Sequence, residues 1–156
     1  MSLISGDYLK EGQICAGLLA DKFGEQPCRI VEIYGTESSP GAQARSKGFH
    51  QALMKYPNME IIDVEYGNFD RVTAQKAMEN ALIKAANRGQ TIDAVFAHSD
   101  EDGLGALQAI KVAGCRRVKS PLCPSTASRT CARPSLPENI WARWRAIPAG
   151  DLLRLS

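Results

Sequence analysis

Apolar positions along the first two-thirds of the chain alternate between helical steps of three or four and short continuous runs, the pattern of helices interleaved with buried strands. Tyr8, Gly12, Cys15, Leu19 and Phe23 fall on one helix face, and Gly24 offers a stop. Arg29-Ile30-Val31-Glu32-Ile33-Tyr34 is short, rich in β-formers and followed by Gly35, so it predicts a strand. A polar loop runs from Gly35 to Gly41. A second helix is expected to begin near Pro40 or Gly41 and to turn Ala42, Phe49, Leu53 and Tyr56 inward before Pro57 breaks it. Met59 to Tyr66 reads as the next strand. Asp70 can cap a third helix with the stripe Val72, Ala77, Met78, Ala81, Leu82 and Ala85, closed by Gly89. Ile92 to Ala97 predicts a third strand, and Leu104, Leu107 and Ile110 mark a fourth helix. Strands separated by helices of this length imply right-handed crossovers. The expected class is therefore α/β, a three-layer parallel sheet with helices on both faces.

Each predicted strand hands over to a helix through a segment with its own chemistry. These are Ala44-Arg45-Ser46-Lys47-Gly48-Phe49, Gly67-Asn68-Phe69-Asp70-Arg71 and Val95-Phe96-Ala97-His98-Ser99-Asp100. Strand ends of a parallel sheet face one crevice, so the segments can converge. Arg45 brings a permanently charged fork of N–H donors able to hold adjacent hydroxyls. Phe69 brings a flat apolar face for the C–H side of a sugar ring. Ser99 can make one hydrogen bond, and Asp100 can accept more. Each residue also has a plain structural role. Arg45 can be a solvated helix residue, Phe69 a staple onto Ala74, and Ser99 the cap of a capping-box-like pair with Asp102.

In this order and spacing the three segments resemble the C-terminal lobe of periplasmic sugar-binding proteins of the ribose/galactose type. These are receptors of ABC importers, and their fold is shared with the effector domains of lactose-repressor-like regulators. The resemblance runs from about Ile4 to about Gly114. It implies a periplasmic binding protein type I lobe, incomplete at the C-terminus, and ligand contacts from Arg45 and Phe69. At Ser99 the chain departs from the family, which usually has asparagine there. A hydroxyl cannot reproduce an amide's paired donor and acceptor, so ligand identity or affinity is expected to differ. The resemblance implies a monosaccharide ligand gripped between two lobes, an ABC membrane permease as partner of the parent protein, and a periplasmic or extracytoplasmic location for that parent. The alternative is the effector-binding domain of a regulator, which a helix-turn-helix segment encoded upstream would distinguish from a receptor with its signal peptide. An enzyme on a doubly wound sheet is a third reading.

Composition narrows these readings. The chain has 156 residues, 44% of them hydrophobic, enough for one ordinary domain but not for a two-lobed receptor. A half receptor is expected to bind free sugar weakly or not at all. Net charge is +2, which gives no general argument for nucleic acid. No run of about 18 apolar residues suggests a membrane span, and Met1-Ser2-Leu3-Ile4 does not read as a secretory signal. Cys15, Cys28, Cys115, Cys123 and Cys131 form no Cys-X-X-Cys pair and read as free thiols. His98, Asp100 and Asp102 lack the spacing of a metal site, and His50 reads as a surface or partly buried helix residue. Gly103-Leu104-Gly105 lacks the pattern of a phosphate loop. Neither cofactor nor catalysis is expected.

The charge is uneven: residues 1–114 carry 11 Lys+Arg against 15 Asp+Glu, whereas residues 115–156 carry 8 against 2 and hold five prolines. The division is therefore a partial sugar-binding lobe over 4–114 and an irregular basic tail over 115–156. One reading of the tail is a loose extension. The other is genetic. Back-translated from its third codon base, Pro124-Ser125-Thr126-Ala127-Ser128-Arg129-Thr130 permits Ile-Asp-Gly-Val-Lys-Asp, which resembles the next strand end of the same family. A one-base frameshift near Ala113 to Arg117 accounts for this. The expected result of sequencing the coding DNA is a family-like continuation in the shifted frame, and a shifted frame without one removes the idea.

Overall fold

The computed structural model describes residues 7–113 and 123–124. Helices and strands alternate in the order α1 (Tyr8–Phe23), β1 (Cys28–Tyr34), α2 (Pro40–Leu53), β2 (Met59–Tyr66), α3 (Arg71–Asn87), β3 (Ala94–Ala97), α4 (Asp100–Val112) and β4 (Cys123–Pro124). The four strands form one parallel sheet in the order β2-β1-β3-β4.

Local chemistry sets the boundaries. Asp7, Ser39, Asp70 and Ser99 each cap a helix by accepting a backbone N–H from the first turn, and Pro40 opens α2 where its missing N–H costs nothing. Gly24 and Gly89 follow helix ends at positive φ, where a Cβ would be disfavoured.

Strand alternation sorts the core into two halves. Ile30, Ala94 and Phe96 face α1 and α2, packing with Cys15, Leu19, Phe49 and Leu53. Val31, Ile33, Val95 and Ala97 face α3 and α4, packing with Ala74, Met78, Ala81, Ala106 and Ala109. Phe49 of α2 stacks on Phe96 of β3 with centroids 4.0 Å apart, so the first layer locks onto the centre of the sheet. A register shift between Ile30 and Val31 brings Asp63 opposite Val31. The bulge carries Ile62 to the α3 side, where it packs with the second core cluster.

Two expectations need correction. Val72 does not belong to the α3 stripe: it is exposed, and Ala74 occupies the inward position on that turn, in step with Ala77, Met78 and Ala81. Tyr8 is also partly exposed, because it lies at the start of α1 beside Arg45 rather than over the core. The edge of β3 is paired at Phe96 and Ala97 by Cys123 and Pro124 of the tail. Proline suits an edge position because the ladder asks no N–H of it there. The remainder of the 115–156 tail, and with it the frameshift reading, lies outside the described residues. Cys15 and Cys28 are free and buried. Burial pushes the Cys28 thiol up to about 12, leaving it unreactive.

Helices α1 and α2 touch through glycine. A Cβ on Gly12 would collide with the Arg45 carbonyl oxygen, and one on Gly48 with the Leu9 carbonyl oxygen, whereas Gly17 has open space around it. Gly12→Ala is therefore expected to destabilise the fold by about 1–3 kcal/mol or more through overpacking. Gly17→Ala is expected to be neutral or stabilising by up to about 1 kcal/mol through helix propensity. Urea denaturation of both variants reads the contrast.

Candidate binding crevice at the strand ends

Strand order reverses between β1 and β3, the place where a parallel sheet of this kind offers a crevice. The chain leaves β1 through α2 on one face, and leaves β3 through α4 on the other, so the carboxyl ends of these neighbours part at a topological switch point. Gly35 follows β1 at this edge, Gly67 to Asp70 follow β2, and His98 to Asp100 follow β3.

Arg45 lies two turns into α2 and is buried, not solvated. Its Nε donates to Glu11 Oε2 at 2.8 Å, and its guanidinium carbon sits 4.5 Å from the centroid of the Tyr8 ring. Because α1 runs antiparallel to the strand that follows it, its first turn lies at the carboxyl edge. Tyr8 and Glu11 thus hold the guanidinium there.

Phe69 sits in the β2–α3 loop with φ 58, next to Asn68 with φ 55. Positive φ is uncommon for a phenylalanine and costs about 1–2 kcal/mol, so neighbours must hold it. The Asp70 N–H bonds the Gly67 carbonyl, Asp70 caps α3, and the Phe69 ring lies against Gly35, where a Cβ would collide with it. A left-handed aromatic held over a neighbouring strand end is the kind of outlier that points to a site. The staple reading onto Ala74 gives way to this placement over Gly35.

Ser99 and Asp100 begin α4. Ser99 Oγ accepts the Asp102 N–H at 3.1 Å and donates to Asp102 Oδ2 at 2.7 Å. The serine is therefore a helix cap whose hydrogen is already given, leaving acceptor capacity at the crevice. Asp100 is half-buried, and its Oδ1 is buried with no hydrogen-bond partner among the described residues. Asp102 is fully buried between Gly67 and Ser99, and desolvation raises its carboxyl to about 6 against the hydrogen bonds from Ser99 and the Phe69 backbone. Asp102 thus anchors Ser99 at the start of α4 and packs against Gly67, where the Phe69 loop begins. At the surface Arg71 makes a two-pronged pair with Glu101 across the same junction.

One feature escaped sequence reasoning. Glu32, midway along β1, is fully buried and accepts from two histidines: His98 Nε2 at 2.9 Å on Oε1 and His50 Nε2 at 2.7 Å on Oε2. Burial alone would raise this carboxyl, but the two imidazoles outweigh it and hold the group at about 2. The bond to Glu32 raises His50 in turn. The available signal was an acid alone in an apolar strand, which is rarely buried unless paired. The Tyr34 ring is tilted against His98 with centroids 4.5 Å apart and against Tyr66 at 5.4 Å, which extends the cluster. Among the described residues no group of three or more His, Cys, Asp or Glu is arranged to hold a metal, and no helix is long and apolar enough to cross a membrane.

A doubly wound lobe with a polar and aromatic crevice at its switch point is the architecture of one half of a two-lobed solute receptor. The chain belongs to the periplasmic binding protein domain family, whose model matches residues 1–122. It is similar to the galactofuranose-binding protein YtfQ of Escherichia coli K12, with 38% identity over 125 residues covering 80% of this chain and 39% of that protein. The ribose import binding protein RbsB of Bacillus subtilis is 33% identical over 113 residues, covering 72% and 35%. Among solved structures, a galactofuranose binding protein aligns with TM-score 0.67 and 38% identity over 73% of this chain and 38% of the other. The periplasmic component of the Shewanella sp. ANA-3 arabinose ABC transporter, bound to L-arabinofuranose, aligns with TM-score 0.65 and 39% identity over 70% and 35%. The chain thus spans less than two-fifths of the length of these relatives.

The raised Asp102 carboxyl carries a definite sign. Its contribution is fully present below the ordinary carboxyl value of 3.8 and is lost as pH rises through about 6. Asp102→Asn is therefore expected to gain stability relative to the unsubstituted chain between about pH 4 and about pH 7. Thermal unfolding at several pH values measures the difference, and a constant gap assigns Asp102 no such role.

Proposed function

We propose that the chain is the C-terminal lobe of the solute-binding component of a sugar ABC importer and contributes one side of a monosaccharide site. Arg45, Phe69, Ser99 and Asp100 are the ligand contacts of this reading. The observation that carries it is Arg45: a buried guanidinium fixed at the strand-end edge by Glu11 and Tyr8, with no further hydrogen bond to the described residues. Such a group has terminal N–H donors to offer vicinal hydroxyls without first losing side-chain freedom. Phe69 supplies the apolar face, and the unpartnered Asp100 oxygen an acceptor.

The sugars that the relatives are named for support a sugar ligand, and galactofuranose and arabinofuranose among them make five-membered ring forms the first candidates. The parent protein would work in the periplasm with a membrane permease, closing two lobes over the ligand by hinge motion. It would bind and release its ligand unchanged, without enzymatic activity or nucleic acid. The regulator reading gains no support from relatives named as ribose import binding proteins.

One lobe offers part of the contacts and no enclosure, so affinity is expected at about 1 mM or weaker. Titration of the labelled chain with L-arabinose, followed by NMR, is expected to shift resonances of Arg45, Phe69, Ser99 and Asp100. Arg45→Lys, which keeps the charge and loses the planar fork, is expected to weaken the effect about tenfold or more. Tight binding by calorimetry overturns the half-site, and shifts confined to other surfaces overturn the site.

A further inference from the structure

The Glu32 cluster joins the three elements that meet at the switch point. Glu32 belongs to β1, His50 to α2, and His98 follows the last residue of β3 and immediately precedes Ser99. The carboxylate and the His98 ring are fully buried, whereas the His50 side chain is 46% exposed. Protons therefore reach the cluster through His50. A buried ion pair of this kind rarely adds stability over apolar packing, and its best attested use is to specify one arrangement among several. Here the arrangement in question is where the end of β3 stands relative to β1 and α2.

We propose that Glu32, His50 and His98 form a proton-linked clasp in which the protonation state of His50 sets the position of the β3 end, and with it Ser99 and Asp100. In the protonated state His50 and Glu32 are an ion pair, and the carboxylate is drawn toward α2. When His50 loses its proton, Oε2 keeps only a neutral donor and Glu32 is free to favour His98. The titratable groups facing the carboxylate are His50 from α2, His98 from β3 and Tyr34 from β1 itself, and the other rings packed there, Phe49 and Phe96, are neutral. Asp102 lies beside Ser99 and must be separated from the effect. The clasp is a property of this lobe without ligand. Its consequence for sugar affinity rests on the function proposed above, but its test does not.

The test is a pH titration of the whole chain by NMR from about pH 4.5 to about 8.5, reading the histidine rings and the backbone amides of Ser99 and Asp100. The expected result is a His50 midpoint above the ordinary 6.5, with both amides moving at that midpoint. The amide response at the His50 midpoint should survive Asp102→Asn, which removes the neighbouring carboxyl, and should vanish when His50→Gln, which keeps a donor to Glu32 and loses the proton, is added to that variant. Glu32→Gln should return the His50 midpoint to 6.5 or below. If Glu32→Gln does not fold, the half-exposed His50→Gln still decides. An amide response that persists in the chain carrying both Asp102→Asn and His50→Gln, or disappears in Asp102→Asn alone, overturns the clasp, as does a His50 midpoint unrelated to the amides.

Discussion

Every strand of the sheet runs the same way, and this constraint decides where chemistry can sit. Parallel strands release the chain at a common edge, and a right-handed crossover must then carry it over one face or the other. Because β1 sends its helix to one face and β3 to the opposite one, the two loops diverge at a topological switch point. Arg45, Phe69, Ser99 and Asp100 follow three separate strands, on the side of the sheet where an open parallel sheet receives its ligand.

The rim is held by polar groups buried to an unusual depth. Glu11 and Tyr8 fix Arg45, Asp102 holds Ser99 while packing against Gly67, and Glu32 bridges two histidines. Each arrangement joins elements that are distant in sequence. Desolvation makes every one of these groups costly unless its partner is in place, so the partners act as alignment pins. The glycines at 12, 35, 48 and 67 serve the same end, since each lets a neighbouring backbone or side chain approach where a Cβ would intrude.

The helices, strands and caps were legible because they rest on local physics. The caps at Asp70 and Ser99, the proline start of α2 and the strand at Met59–Tyr66 all follow from short-range preferences. Val72 was misplaced because apolar character alone does not tell which turn of a helix meets the core when alanines on the next position pack more closely. The pairing of Cys123 and Pro124 with β3 was not legible, since two residues carry no periodicity. Ser99 was correctly marked as a cap, but that its hydrogen goes to the Asp102 carboxylate depended on the depth at which Asp102 is buried.

By itself the order of residues determined the α/β class, the alternation of elements and the strand-end positions of Arg45, Phe69, Ser99 and Asp100, because periodicity and turn chemistry act within a few residues. Tertiary structure alone decided the partners. Residue separations of 34 between Arg45 and Glu11, 66 between Glu32 and His98 and 18 between Glu32 and His50 lie beyond any local rule. Whether a charged side chain is solvated or clamped is set by what the rest of the chain folds over it, and that is a property of the packed layers.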